Sequence, residues 1–375
     1  MRTVDAAGLE IGDDHPPRIM GVLNVSKESP YDPSVYDDPA EAAAYVDSEL
    51  IGEGADIVDV GLESANKKFD VLSAEQELDR LETAVETIES VSGDAVFSLE
   101  TRYHEVAEAA LNQGFDMVND ICGFADPEMP RVCEEYDVAV GKMASPPDLE
   151  RPGAIEDVDE IYEALFRNGV TDKTIVDPAF GGWSEDKTTE DDRETFHRLR
   201  EFRAVGQPIL VSINRKNFLR ELAGRSTEEA LPVSLAATAM AVERGAHVVR
   251  THDVEETVDA ALVGDAFTRE RVRDAEAGVE ELDVTAVGEA ERQFEAVDGD
   301  ADPARAVARS FALTLPGEAR ERLRAAARDS GVVVAGAGDR VVLAGTVAAI
   351  RSLAGTVEEP PALVAALDRV REACR

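Results

Sequence analysis

The chain has 375 residues, with 78 acidic side chains against 38 basic ones and a formal net charge of -40. Such a charge repels nucleic acid and anionic membranes; solvation for high salt, where screening suppresses carboxylate self-repulsion, is the preferred reading, with an acid-rich mesophilic protein as the alternative. Hydrophobic content of 44% and regular periodicity exclude the disorder that acid-rich composition otherwise brings. The three cysteines, Cys122, Cys133 and Cys374, have no disulfide or zinc spacing, and the first two are expected to be buried small apolar residues. No signal peptide is visible and no apolar run reaches membrane-spanning length, so a cytoplasmic protein is expected.

Eight short apolar runs follow one another: Ile19–Val25, Ala55–Gly61, Ala95–Glu100, Phe115–Asp120, Val138–Met143, Lys173–Pro178, Pro208–Ile213 and Ala246–Thr251. They are rich in β-branched residues and mostly continuous in hydrophobicity, as for parallel strands covered on both faces. Helical segments lie between them. Asp38-Pro39-Ala40-Glu41, Ser73-Ala74-Glu75-Gln76 and Asp253-Val254-Glu255-Glu256 read as helix starts, and Thr101 and Thr189 as further caps. Strand and helix alternate eight times by about Thr268, and no Gly-x-Gly-x-x-Gly follows the first strand. An α/β fold of the (β/α)8 TIM barrel type is expected over residues 1–272, rather than a dinucleotide-binding sheet.

Beyond Thr268 the composition changes. Residues 273–283 read as a charged linker, and 284–375 as a small α+β C-terminal domain of unknown role. A helix is expected from Leu315 to about Asp329. A hairpin is expected from Gly331–Ala335 and Arg340–Ala344, then helices over Gly345–Leu353 and Pro361–Cys374. Gly336 and Gly338 sit between two strands and read as a turn, not a phosphate loop.

In a parallel barrel every strand C-terminus reaches one rim, so the residues that end the runs converge although they are distant in sequence. Those ends carry Asn24, Glu63, Glu100, Asn119 with Asp120, Lys142, Asp177, Arg215 with Lys216, and Arg250 with His252. Arg250 and His252 stand where the eighth strand turns into a helix, whose N-terminal amides favour an anion; a cap at Asp253 and a structural His252 are the plainer alternative. Arg215 and Lys216 are costly neighbours unless an anion or polar substrate lies there, although a solvated pair is also open. Carboxylates and an amide at Glu100, Asn119 and Asp177 match the donor–acceptor edge of a heterocycle. Trp183 either flanks a ring or packs.

The segments Ile19-Met-Gly-Val-Leu-Asn-Val-Ser26, Gly54-Ala-Asp-Ile-Val-Asp-Val-Gly-Leu-Glu-Ser64, Asp116-Met-Val-Asn-Asp-Ile121, Ile175-Val-Asp-Pro178, Asn214-Arg-Lys-Asn-Phe218 and Val249-Arg-Thr-His-Asp-Val254 resemble the dihydropteroate synthase family, in order across about residues 18–268. The resemblance implies a cytoplasmic, usually dimeric transferase of folate synthesis that joins 6-hydroxymethyl-7,8-dihydropterin diphosphate to 4-aminobenzoate and releases diphosphate. It implies Glu100, Asn119, Asp177 and Lys216 at the pterin, with Glu100, Asp177 and Lys216 also serving catalysis. It implies Asn24, Arg250 and His252 at the diphosphate, with Mg2+ held by Asn24. Arg215 and Ser64 are the expected arylamine contacts. A homodimer without nucleic-acid or membrane partners is expected.

The chain also departs from that pattern. Glu100 stands where the family usually has Asp, Asn214 where it has Ser, and Ala65-Asn66-Lys67-Lys68 follow Glu63-Ser64 in place of Thr-Arg-Pro-Gly. Lys27-Glu-Ser-Pro30 and Ala179-Phe-Gly-Gly-Trp183 also differ. The pterin and diphosphate positions are kept while the arylamine loops change. A ribosylated or phosphorylated aminobenzene acceptor of the methanopterin type is therefore an alternative, as is a noncatalytic pterin-binding protein. A pterin-dependent methyltransferase has no need of Lys216, Arg250 and His252.

Overall fold

The computed structural model describes residues 1–25, 34–63, 71–181, 186–274 and 276–374. The chain divides into two compact units, Met1–Glu270 and Arg271–Arg375. The first is an eight-stranded barrel. Its parallel strands are β3 (Arg18–Asn24), β4 (Ile57–Gly61), β5 (Val96–Thr101), β6 (Met117–Asp120), β7 (Ala139–Met143), β8 (Thr174–Asp177), β9 (Leu210–Val211) and β10 (Val248–Thr251). They are ordered β8-β7-β6-β5-β4-β3-β10-β9, and the ring closes where Val176 N–H donates to Pro208 O at 2.9 Å beside a parallel bridge to Ile209. The expected α/β barrel is the observed one.

A hairpin that periodicity does not reveal precedes the barrel: β1 (Val4–Ala6) pairs antiparallel with β2 (Leu9–Ile11). Its Val4, Ala6 and Ile11 pack with one residue from each of the eight strands: Met20, Ile57, Val96, Met117, Ala139, Ile175, Leu210 and Val248. These mark the inward-facing parity, because side chains alternate along a strand. Two residues further along each strand, the next inward positions include Asp59, Asn119, Gly141, Asp177 and Arg250. The hairpin plugs the N-terminal end of the barrel and leaves the opposite rim to carry chemistry.

Asp13, just after the hairpin, accepts from Arg203 Nη2 at 2.8 and 2.9 Å and lies 3.1 Å from His247 Nε2. Burial works against its ionisation, but the His247 hydrogen bond and the Arg203 charge hold it well below the carboxylate range. Its stabilisation is therefore complete above the unfolded value of about 4 and is lost as pH falls below it. Asp13→Asn is expected to narrow the difference in melting temperature between pH 7 and pH 3. An unchanged difference would count against this network.

Helix starts follow local chemistry. Asp38 accepts from Ala40 N–H and Glu41 N–H ahead of α1 (Pro39–Tyr45), and Ser73 forms a reciprocal capping box with Gln76 at α2 (Ala74–Ser90). Two expected caps are corrected, and the expected start at Asp253 holds its position without a side-chain bond. The α6 helix (Thr189–His197) is capped by Thr188 through a box with Asp191, one residue early. The α3 helix (His104–Leu111) begins after Tyr103, and Thr101 instead donates to Glu77 at 2.5 Å. Asp253 precedes α9 (Val254–Ala266) without a side-chain cap, because its carboxylate serves Arg215 and Asn214. The remaining α-helices described in the barrel unit are α4 (Met129–Glu135), α5 (Val158–Phe166), α7 (Asn217–Ala223) and α8 (Leu231–Glu243).

The second unit begins with a small exposed hairpin, β11 (Arg273–Asp274) with β12 (Val279–Glu280), and helix α10 (Val287–Glu295). Its main sheet is antiparallel in the order β13 (Ala308–Thr314), β15 (Arg340–Thr346), β14 (Val333–Ala335). The expected hairpin is present as β14 and β15, while β13 was not foreseen. Leu313, Val341 and Leu343 pack with Leu323 of α11 (Gly317–Ala327), Ile350 of α12 (Val347–Thr356) and Leu367 of α13 (Pro361–Ala373). Cys122, Cys133 and Cys374 are free and buried. Among the described residues no helix is long and apolar enough to cross a membrane.

Candidate active site

Parallel register sets the floor of the rim. Asn24 pairs with Gly61, Gly61 with Glu100, Glu100 with Asn119, and Asn119 with Gly141. The two glycines make room for the amides. A Cβ at Gly61 would lie 3.1 Å from Asn24 Oδ1, and one at Gly141 would lie 2.7 Å from Asn119 Oδ1.

Arg250 is held by two carboxylates. Its Nε donates to Asp59 Oδ2 at 2.7 Å and its Nη2 to Glu100 Oε2 at 2.8 Å. Asp59 Oδ2 also accepts from Asn119 Nδ2 at 3.0 Å. Burial raises the Glu100 carboxyl above its ordinary value, against the opposing pull of Arg250. The longer Glu100 side chain thus spans to the arginine.

Asp177 ends β8 and accepts from Ala179 N–H at 2.7 Å. Burial raises its carboxyl to about 6, although that N–H, Lys216 and Arg250 favour the ionised form. Lys216 precedes α7 and lies against Gly181, whose φ of 91° and missing Cβ permit the approach: a Cβ there would be 2.9 Å from Lys216 Cδ. Burial and the Arg250 charge lower the Lys216 ammonium below its ordinary value, while Asp177 and Asp192 pull it back. Asp192 anchors the same turn by accepting from Gly181 N–H at 3.0 Å.

On the other side, Asn24 Nδ2 donates to Ser34 Oγ at 3.0 Å, and that oxygen is 3.2 Å from His252 Nδ1. Burial and Arg250 depress His252 to about 3. At neutral pH it is an uncharged imidazole, so in this state the cationic charge on this side comes from Arg250. Asn24, Glu100, Asn119, Asp177, Lys216, Arg250 and His252 therefore meet at the rim, as their strand ends imply.

Three expected rim residues, Lys142, Asp120 and Arg215, have their polar groups engaged away from the pocket. Lys142 has outward parity on β7, and its Nζ donates to the carbonyls of Leu165, Arg167 and Gly169 at 3.0, 2.5 and 2.6 Å. It closes the C-terminal turn of α5, and Asp120, also outward, accepts from Cys122 and Phe124 N–H. Arg215, expected as an arylamine contact, is engaged within the chain. Its Nε and Nη2 bind Asp253 at 2.8 Å each, and Nη1 donates to Thr227 O and Glu228 O at 2.7 and 3.0 Å. Its backbone, at φ 53°, is tied by an N–H bond to Ser234 Oγ. Glu63 is engaged by Arg102 and by Leu72 N–H. Ser64, Ala65, Asn66, Lys67, Lys68, Pro30 and Trp183 lie outside the described residues.

Asp59 and Ser34 were not foreseen. Asp59 had a readable signal: an acid at an inward position in an otherwise apolar strand, Ile57-Val58-Asp59-Val60-Gly61, far from any turn. Ser34 had none, because its role depends on a tertiary contact with Asn24, ten residues earlier in the chain.

The model of the pterin binding enzyme family matches residues 20–252, the span that builds this rim. The chain belongs to that family. It is 32% identical over 258 residues to the dihydropteroate synthase of Clostridium beijerinckii, covering 67% of this chain and 94% of that one. It is 35% identical over 260 residues to a bifunctional folylpolyglutamate synthase/dihydropteroate synthase of Halobacterium salinarum, covering 66% of this chain and 31% of that protein. The chain thus spans about a third of the length of such bifunctional relatives. Among solved structures, Xanthomonas albilineans dihydropteroate synthase with 4-aminobenzoic acid matches with a TM-score of 0.60 and 30% identity, over 70% of this chain and 97% of that one. The Coxiella burnetii enzyme in complex with pteroic acid matches with a TM-score of 0.60 and 27% identity, over 70% of this chain and 98% of that one.

One pH dependence follows from Asp177. An ionised carboxylate accepts hydrogen bonds from the N–H groups of a pterin edge, and protonation removes that acceptor. Pterin affinity, titrated by fluorescence between pH 5 and 8, is expected to fall as pH drops below about 6. A flat profile would count against Asp177 as a group that meets the pterin.

Proposed function

We propose that the barrel is a dihydropteroate synthase that condenses 6-hydroxymethyl-7,8-dihydropterin diphosphate with 4-aminobenzoate in folate synthesis. The observation that carries this reading is the convergence of Asn119 and Asp177 with Lys216, Arg250 and His252 on one rim. Asn119 and Asp177 supply acceptors for the aminopyrimidine edge, and Lys216 lies beside them over Gly181. Arg250 spends its Nε–Nη2 edge on Asp59 and Glu100. Its Nη1 makes no hydrogen bond among the described residues and is available to the leaving diphosphate. In the reaction the pterin methylene–oxygen bond breaks, diphosphate leaves with the bonding pair, the arylamine nitrogen bonds the methylene and then releases a proton. Prepositioned donors stabilise the departing charge without reorganisation, and nearby carboxylates favour the cationic pterin.

Mg2+ belongs to the proposal. Asn24 Oδ1 makes no hydrogen bond among the described residues and is a hard oxygen donor at the diphosphate side, suited to an ion that keeps much of its shell as water and phosphate oxygen. When bound, the ion would neutralise charge on the leaving diphosphate. A cytoplasmic homodimer is also proposed. Met240 of α8 and Leu262, Val263 and Phe267 on and beside α9 are exposed apolar side chains that a second copy would cover.

The test is incubation of the full chain with the pterin diphosphate and 4-aminobenzoate, reading diphosphate release and product mass. Release with a dihydropteroate product supports the reading. Binding of the pterin without release would leave a noncatalytic binder, and product only with a larger arylamine would change the acceptor.

Adaptation to salt is proposed from the charge of -40. The melting temperature is expected to rise steeply from millimolar to molar KCl as self-repulsion is screened. A flat response would overturn it.

A further inference from the structure

Asp59 stands in the middle of β4, inside the barrel, with no accessible surface of its own. Its register partner on β3 is the apolar Val22. A charge at such a place is costly unless its partners compensate it. One oxygen is well served: Oδ2 accepts from Asn119 Nδ2 at 3.0 Å and from Arg250 Nε at 2.7 Å. The other, Oδ1, is buried and has no hydrogen-bond partner among the described residues. A side chain retained only for packing would carry no such penalty.

The two partners belong to different halves of the proposed substrate site. We infer that Asp59 is a positioning residue whose single bridging oxygen orients both the amide that faces the pterin and the guanidinium that faces the diphosphate. The inference rests on the proposed function. A carboxylate can only accept, so the Asn119 NH2 turns toward Asp59 and Oδ1 is left as an acceptor. Gly141 leaves the space in which that oxygen sits. The same carboxylate takes the Nε side of Arg250, with Glu100 on Nη2, so Nη1 stays open. Asp59 thus sets the polarity of the amide and the direction of the arginine together, and couples the two subsites without touching substrate.

The test separates the two halves of the ligand. 6-Hydroxymethylpterin and inorganic diphosphate are titrated separately into the full chain and into Asp59→Asn, in molar KCl, with folding checked by circular dichroism. A charge-assisted hydrogen bond sets the scale, so Asp59→Asn is expected to weaken each ligand by ~10-fold or more. Asn119→Ala should weaken only the pterin. In the double variant, pterin affinity should be no lower than in Asn119→Ala alone, because the two residues act as one unit. Weakening of diphosphate alone would reduce Asp59 to a counter-ion of Arg250 and overturn the proposal, as would independent, additive losses with Asn119→Ala. If Asp59→Asn does not fold, Asp59→Glu keeps the charge but moves the oxygen. It should again weaken both ligands, and wild-type affinity for either overturns the inference. A wild-type chain that binds neither ligand instead defeats the proposed function.

Discussion

Lys216→Met is expected to lower single-turnover diphosphate release by about 100-fold or more, the scale of losing one prepositioned charge contact in a water-poor site. Methionine keeps much of the length and apolar stem that lies against Gly181, so the packing of the turn is retained. What disappears is an ammonium that feels the charges of both Asp177 and Arg250. The effect should fall on turnover more than on pterin affinity, because the developing charge is what the ammonium answers. His252→Ala should behave differently, since that imidazole is neutral near pH 7 and contributes hydrogen bonding rather than charge. Release at the wild-type rate in Lys216→Met would remove this lysine from the chemistry.

Arg215→Ala is expected to cost about 3 kcal/mol of stability, the scale of leaving one partner of a buried ion pair alone. Asp253 would lose both guanidinium bonds, and the carbonyls of Thr227 and Glu228 would lose their donor. Alanine would also inherit the left-handed backbone without the contacts that now hold it. Urea unfolding in molar KCl measures the loss. The KM for 4-aminobenzoate should change far less than the stability. Unchanged stability with a raised KM would restore Arg215 as a substrate contact.

The difference between Lys216 and Arg215 shows how far sequence reaches here. They are adjacent, both basic, and both follow the same strand. Nothing local distinguishes them, because the distinction depends on Asp253, which lies far along the chain. Lys142 was more legible than it was read to be. Counting in twos from the inward Ala139 gives Gly141 and Met143, so Lys142 faces the helices, where it meets three carbonyls. Asp59 was open to the same count.

The alternation of strand and helix is legible in the chain, and with it the rim on which Asn24, Glu100, Asn119, Asp177, Lys216, Arg250 and His252 meet. Continuous β-branched runs and local caps are short-range properties, and parallel closure then carries every strand end to one side. Which charges are already spent depends on the closed barrel. The pairing of Arg250 with Asp59 and Glu100, the lock of Arg215 on Asp253 and the plug formed by β1 and β2 join residues far apart in the chain. Their strength comes from burial and geometry, and neither exists until the barrel closes.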